Sequence, residues 1–193
     1  LQAVRSKFGV LFQSAALLQW MNVRDNVALP LREHTKLPDD EILSRVNEKL
    51  DLLSLGDAGD KFPSDISGGM QKRAGLARAI IMNPKIVLYD EPTSGLDPVT
   101  SRRIDDLIMD MRKRLGITSV VVTHDLDSAF QVADRMVLLH EGRVRMDGTP
   151  DEMRHTTDPV ARAFLEGREM VEGPSDDSDA VVQGSPEPET LPS

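Results

Sequence analysis

The chain has 193 residues, 39% of them hydrophobic and 28% charged, with a net charge of −9 and no cysteine. This balance is that of a globular protein and excludes a disulfide framework or a thiolate metal site. No apolar run reaches the roughly 18 residues of a membrane span. Six acids and no Lys or Arg lie between Val171 and Ser193, so the rest is only mildly acidic and lacks the basic footprint of a nucleic-acid binder.

In chain order, FGVLFQ (8–13) is an apolar run of strand length that stops at Gln13 and Ser14. A loop holding Leu17, Leu18 and Trp20 follows. After Pro38, the acids Asp39, Asp40 and Glu41 precede Ile42, Val46, Leu50 and Leu53 at helical spacing, with Gly56 as the expected stop. A helix starts at about Ser67 and is ended by Asn83-Pro84; Ala74, Ala77, Ile80 and Ile81 share one face and leave Arg73 and Arg78 to the other. IVLYDE (86–91) reads as a strand. Asp97 caps a helix with Pro98 at its first position and Gly116 at its end. TSVVVTH is another buried-type strand, DLDSAFQVAD a helix, and MVLLH with GRVRMDG a hairpin turning at Glu141-Gly142. Thr149 and Glu152 stand at capping-box spacing. The alternation predicts an α/β fold with a largely parallel sheet covered on both faces. From 171 onward the Pro-, Ser- and acid-rich composition predicts a segment that does not fold by itself.

Several positions carry chemistry. Ser67, Gly68 and Gly69 open a helix, where free N–H groups and the positive dipole end favour phosphate, although the same step fits an ordinary Ser N-cap after a glycine turn. Asp90 and Glu91 close a buried strand at the sheet edge where open α/β folds bind ligands. Mg²⁺ would compensate carboxylates placed there, Asp90 serving the metal and Glu91 the attacking water. His124 ends a second strand and can reach the same crevice, as can Gln13; each by itself also fits a solvated strand end.

The ordered set is more specific than its parts. Gln13 after a strand, SGG at a helix start, a strand ending in Asp90-Glu91, SGLD at 94–97 and a strand ending in His124 resemble the nucleotide-binding subunit of ABC transporters over about residues 4–167. The resemblance implies a P-loop NTPase fold of the ABC ATPase type, with a helical subdomain at about 20–82 inserted into a RecA-like remainder, and an acidic tail at 168–193. It places Gln13 at the Q-loop, Ser67, Gly68, Gly69, Met70 and Gln71 at the signature, Asp90 at the end of the Walker B strand, Glu91 as catalytic base, Asp97 in the D-loop and His124 at the switch histidine. ATP and Mg²⁺ are the implied ligands, with Asp90 and Gln13 on the metal. The implied partners are a second ATPase subunit, arranged head to tail, and a transmembrane permease at the cytoplasmic face of the inner membrane.

FGVLFQSAALLQWMNVRDNVALPLREHT together with SGGMQKRAGLARAI further resembles the ATPases of MCE-associated lipid transport systems, the Mla-type phospholipid transporters among them, and implies an MCE-type lipid-binding partner. Ile66 and Met70 depart from the commoner signature LSGGQ. No G-x-x-x-x-G-K-[ST] phosphate loop occurs in the sequence. The resemblance therefore implies an N-terminal part upstream of Leu1, and the chain alone is expected to bind ATP poorly and hydrolyse little. An ATPase for another solute, or a non-hydrolytic regulatory module, are the alternatives.

Overall fold

Strands β1 (Phe8–Leu11), β2 (Ile86–Asp90) and β3 (Thr118–Val122) form a parallel sheet in that order, with Gly9 opposite Val87 and Asp90 opposite Val122. These are the elements of a computed structural model that describes residues 7–167, so the expected tail at 168–193 lies outside the described residues. The described residues divide between Met136 and Val137 into two compact units. From 20 to 82 the first unit consists of helices and turns joined by short irregular stretches, with no strand.

That helical stretch comprises α1 (Val23–His34), α2 (Asp39–Leu52), two short 3-10 turns and α3 (Gly68–Ile80). Helix α1 falls where the sequence shows only a loop. Asn22 caps it by accepting from the Asp25 amide, and Pro30, which usually argues against a helix interior, sits inside it. The expected stop at Gly56 is also displaced: α2 ends at Leu52, and Ser54 takes the left-handed turn with φ 54°.

Helices α1 and α2 pack on α3, and α3 packs on β1 and on α4 (Pro98–Leu115), which in turn meets β3 and α5 (Leu126–Val132). Their apolar stripes, including Val27, Val46, Leu76 and Ile108, join Val87 and Tyr89 of the sheet in one buried cluster. Each such side chain contributes roughly 1.5–3 kcal/mol. Gly116 ends α4 in the left-handed conformation, as its position predicts.

The sheet is covered on one face only among the described residues, against the expectation of two. Successive side chains of a strand point to opposite faces, and while Val87 and Tyr89 are buried, Leu88, Val120 and Val122 are exposed. The continuous valine run of β3 thus reads as a buried strand in the sequence yet lies half open.

The turn at 18–22 is organised from within by Asn26 of α1. Its wholly buried amide accepts from the Leu18 amide and donates to the carbonyls of Leu18, Met21 and Asn22. Leu17 is buried below this turn, whereas Trp20 stands outside it, 74% exposed.

In the second unit, β4 (Met136–His140) pairs with β5 (Arg143–Gly148), and Glu141 and Gly142 both take positive φ, as a two-residue hairpin turn of this kind requires. The Thr149–Glu152 capping box opens α6 (Pro150–Arg154), followed by α7 (Pro159–Leu165).

Candidate active site

The loops beyond the C-terminal ends of β2 and β3 enclose an open hollow of about 310 Å³, lined by Glu91, Ser94, Leu96, Ser101, His124 and Asp125 among others. Glu91 leaves the end of β2 with φ 46°. Its amide donates to the Val122 carbonyl, which carries the β2–β3 ladder one step past the strand. Its Oε1 accepts the His124 amide at 3.1 Å and meets His124 Nδ1 at 2.9 Å, while Oε2 accepts the Thr123 hydroxyl at 3.3 Å. A carboxylate with this many donors is fixed in direction. With Nδ1 engaged, the other ring nitrogen of the exposed His124 remains for a ligand.

The Glu91 carboxylate, by hydrogen bond and charge, raises the His124 pKa above the ordinary histidine value. His124 is therefore expected to titrate above that value in a ¹H–¹³C NMR titration, and Glu91→Gln to bring it back. Because the folded value is raised, the stabilising contribution is present below the unfolded pKa and is lost as pH rises through the folded one. A His124 midpoint indifferent to Glu91→Gln would show that the pair does not form in solution.

Gln13 lies two residues beyond β1, and its Nε2 donates to Ser94 Oγ at 3.3 Å, leaving its Oε1 as an acceptor. Asp90 is the exposed last residue of β2. Among the described residues no group of three or more His, Cys, Asp or Glu could hold a metal ion. A carboxylate and an amide oxygen nonetheless fit Mg²⁺, which takes few protein ligands and fills its shell with water and phosphate.

The residues expected to form the signature separate by exposure. Ser67 caps α3, its Oγ accepting the Met70 amide at 3.3 Å, and Ser67 and Gly68 are both exposed. Gly69 is buried instead: a Cβ there would lie 2.5 Å from Thr100 Cγ2, so the close approach this glycine permits is to α4. Met70 is half-buried against the core, and Gln71 turns back to donate to the Pro63 carbonyl at 2.9 Å. Asp97 caps α4 through the amides of Val99 and Thr100, and the Thr100 hydroxyl holds its carboxyl below the usual range. Ser67 and Gly68 do not line the hollow beside Glu91.

Three participants were not singled out from the sequence. Asp125 caps α5 and accepts the Thr93 hydroxyl; Thr123 holds both Glu91 and the Asp125 amide. Lys72 of α3 is 5% exposed and donates through Nζ to the Glu91 carbonyl at 2.8 Å. Burial pushes its ammonium pKa down, opposed by the charges of Glu91 and Asp90. Its position in the buried stripe Gly69, Lys72, Leu76, Ile80 was the available signal, a cation where the helical period requires an apolar residue.

The family model described as ABC transporter matches residues 1–94, which hold Gln13, the Ser67 helix start and the Asp90-Glu91 strand end. The chain belongs to the ABC transporter family. Relatives of this ABC chain include the "Probable ribonucleotide transport ATP-binding protein mkl" of Mycobacterium leprae, 48% identical over 170 residues, covering 88% of this chain and 49% of that protein. The "Intermembrane phospholipid transport system ATP-binding protein MlaF" of Escherichia coli K12 is 42% identical over 174 residues, covering 90% of this chain and 64% of that one. The chain thus spans only about half to two thirds of the length of these curated relatives. Among solved structures, a dimeric post-hydrolysis state of the ATP-binding cassette MJ0796 bound to ADP and Pi matches with a TM-score of 0.69 and 33% identity, over 77% of this chain and 66% of that one. The cbiO1 subunit of a Clostridium perfringens ABC transporter complex matches with a TM-score of 0.74 and 33% identity, over 85% of this chain and 65% of that one.

Proposed function

We propose that this chain is the catalytic portion of an ABC ATPase that, in its full-length form, hydrolyses ATP with Mg²⁺ between two copies arranged head to tail. The hydrolysis powers lipid transport through a membrane permease and an MCE-type lipid-binding protein at the cytoplasmic face of the inner membrane. The observation that carries the hydrolytic reading is the Glu91 carboxylate, fixed by His124 and Thr123 at the hollow beyond the strand ends. Glu91 is the base that takes a proton from the attacking water, and His124 donates from its free ring nitrogen to a γ-phosphate oxygen. Asp90 and Gln13 would hold Mg²⁺, which when bound would supply positive charge for the phosphates. Asp97 lies at the D-loop facing the second copy. Ser67 and Gly68, exposed and outside their own chain's hollow, present the start of α3 to the phosphate bound by that copy.

The lipid assignment is supported by the 42% identity with the phospholipid transport protein of E. coli. The 48% identity with the mycobacterial protein favours a second reading, ribonucleotide transport. Among the described residues no helix is long and apolar enough to cross a membrane. The deciding experiment places the full-length ATPase and its permease in proteoliposomes. ATP-dependent movement of a fluorescent phospholipid is the expected result. Ribonucleotide uptake without lipid movement would assign the second reading, and an assembly that hydrolyses no ATP would reduce the chain to a regulatory module.

A further inference from the structure

Six non-glycine residues of the described chain have positive φ: Ala15 (60°), Ala16 (47°), Ser54 (54°), Asn83 (49°), Glu91 (46°) and Glu141 (48°). Side chains other than glycine persist in this region when their surroundings over-determine it. Two of the six have local explanations. Asn83 follows the end of α3, and asparagine tolerates the left-handed region; Glu141 is in the hairpin turn.

The other four share one feature. Helix α3 contains three basic residues, and each donates to the carbonyl of such a residue. Lys72 Nζ reaches the Glu91 carbonyl at 2.8 Å, and Arg73 Nη1 the Ser54 carbonyl at 2.9 Å. Arg78 spans two, with Nη2 on the Ala15 carbonyl and Nη1 on the Ala16 carbonyl, both at 2.8 Å. Gly75 lets the 15–16 turn close in, since a Cβ there would lie 3.0 Å from Ala15 Cβ and 3.2 Å from its carbonyl oxygen. Spacing alone assigns Arg73 and Arg78 to the outer face; the structure turns both back onto loop carbonyls. These loops follow Gln13, end α2 and begin at Glu91. The helix that starts with the signature therefore holds all three.

We propose that Lys72, Arg73 and Arg78 are positioning residues that make α3 a fastening bar, and that through Lys72 the signature helix sets the direction of the Glu91 carboxylate in its own chain. The proposal rests on the ABC ATPase reading above and adds to it a connection within one chain. The signature that meets the nucleotide of one site is tied rigidly to the base of the other. Lys72 touches no reacting atom; it acts through the peptide of Glu91, whose carboxylate the His124 amide and Thr123 hydroxyl then complete.

The test uses the full-length ATPase with Lys72→Met, Lys72→Gln and Lys72→Arg. Turnover is expected to fall about ten- to a hundredfold in Lys72→Met, the scale on which small misplacements act, with ATP affinity unchanged and most of the turnover restored by Lys72→Arg. The second readout is the ¹H–¹⁵N resonance of the His124 amide, which donates to Glu91 Oε1. It should move in Lys72→Met toward its position in Glu91→Ala and stay near wild type in Lys72→Arg. Lys72→Gln, which keeps a neutral donor, takes the place of Lys72→Met if the latter does not fold. An unmoved His124 amide or unchanged turnover in Lys72→Met, or in the Lys72→Gln that takes its place, overturns the proposal. If the amide responds as expected while the wild type hydrolyses no ATP, it is the ATPase reading that fails and the positioning that stands.

Discussion

Replacing Glu91 by Gln in the full-length protein is expected to leave ATP binding intact and to lower turnover by about two to four orders of magnitude, the usual contribution of a positioned general base. The side chain is 18% exposed and enclosed by the His124 amide, the His124 ring and the Thr123 hydroxyl. Gln has the same length, keeps an oxygen for the His124 amide, and can turn its NH₂ toward Thr123, whose hydroxyl accepts as well as donates. Folding should therefore change little. What Gln lacks is the capacity to take a proton. Binding by a fluorescent nucleotide and phosphate release under single-turnover conditions separate the two effects. Turnover within a few-fold of wild type would remove Glu91 from the base role; equal losses of binding and turnover would make it a structural residue.

The second large effect is on stability. Gly9→Ala is expected to destabilise the fold by at least 1–3 kcal/mol, the cost of overpacking a closed core. A Cβ at Gly9 would sit 2.3 Å from the Ala79 carbonyl oxygen and 3.2 Å from Pro84 Cγ. The first obstacle is main chain and no rotamer change removes it. Nor can β1 retreat without cost, since it is paired in register with β2 and the Lys7 carbonyl accepts from the Lys85 and Ile86 amides. Urea unfolding should show a lower midpoint with an unchanged slope. An unchanged midpoint would mean that β1 and α3 are not packed as closely as described. Because β1 leads to Gln13, any variant that folds by shifting this strand should also displace that side chain.

Local rules explain what was legible in the sequence. Caps and turns are written in the residues that form them: Asp97 and Pro98 at the start of α4, Gly116 at its end, Glu141-Gly142 in the hairpin, Thr149 with Glu152. Strand ends were legible because apolar runs stop there, which placed Gln13, Glu91 and His124 near one edge. Helix α1 was hidden because Pro30 contradicts the local rule and only tertiary packing restores it. Exposure of the β3 valines was hidden because a run of β-branched residues looks alike whether one face or two are covered. The direction of long cationic side chains was not legible either: Lys72, Arg73 and Arg78 find partners 19 to 63 positions away in the chain.

The turn at 18–22 divides its duties between two residues. Asn26, out of contact with solvent, supplies the hydrogen bonds that give the turn its shape, and Trp20 only rides on it. Scaffold and display can thus change separately. The outward residue is free to drift with whatever surface it meets, and a relative that has changed Trp20 but kept Asn26 still presents the same backbone. A relative that has changed Asn26 must have rebuilt the turn.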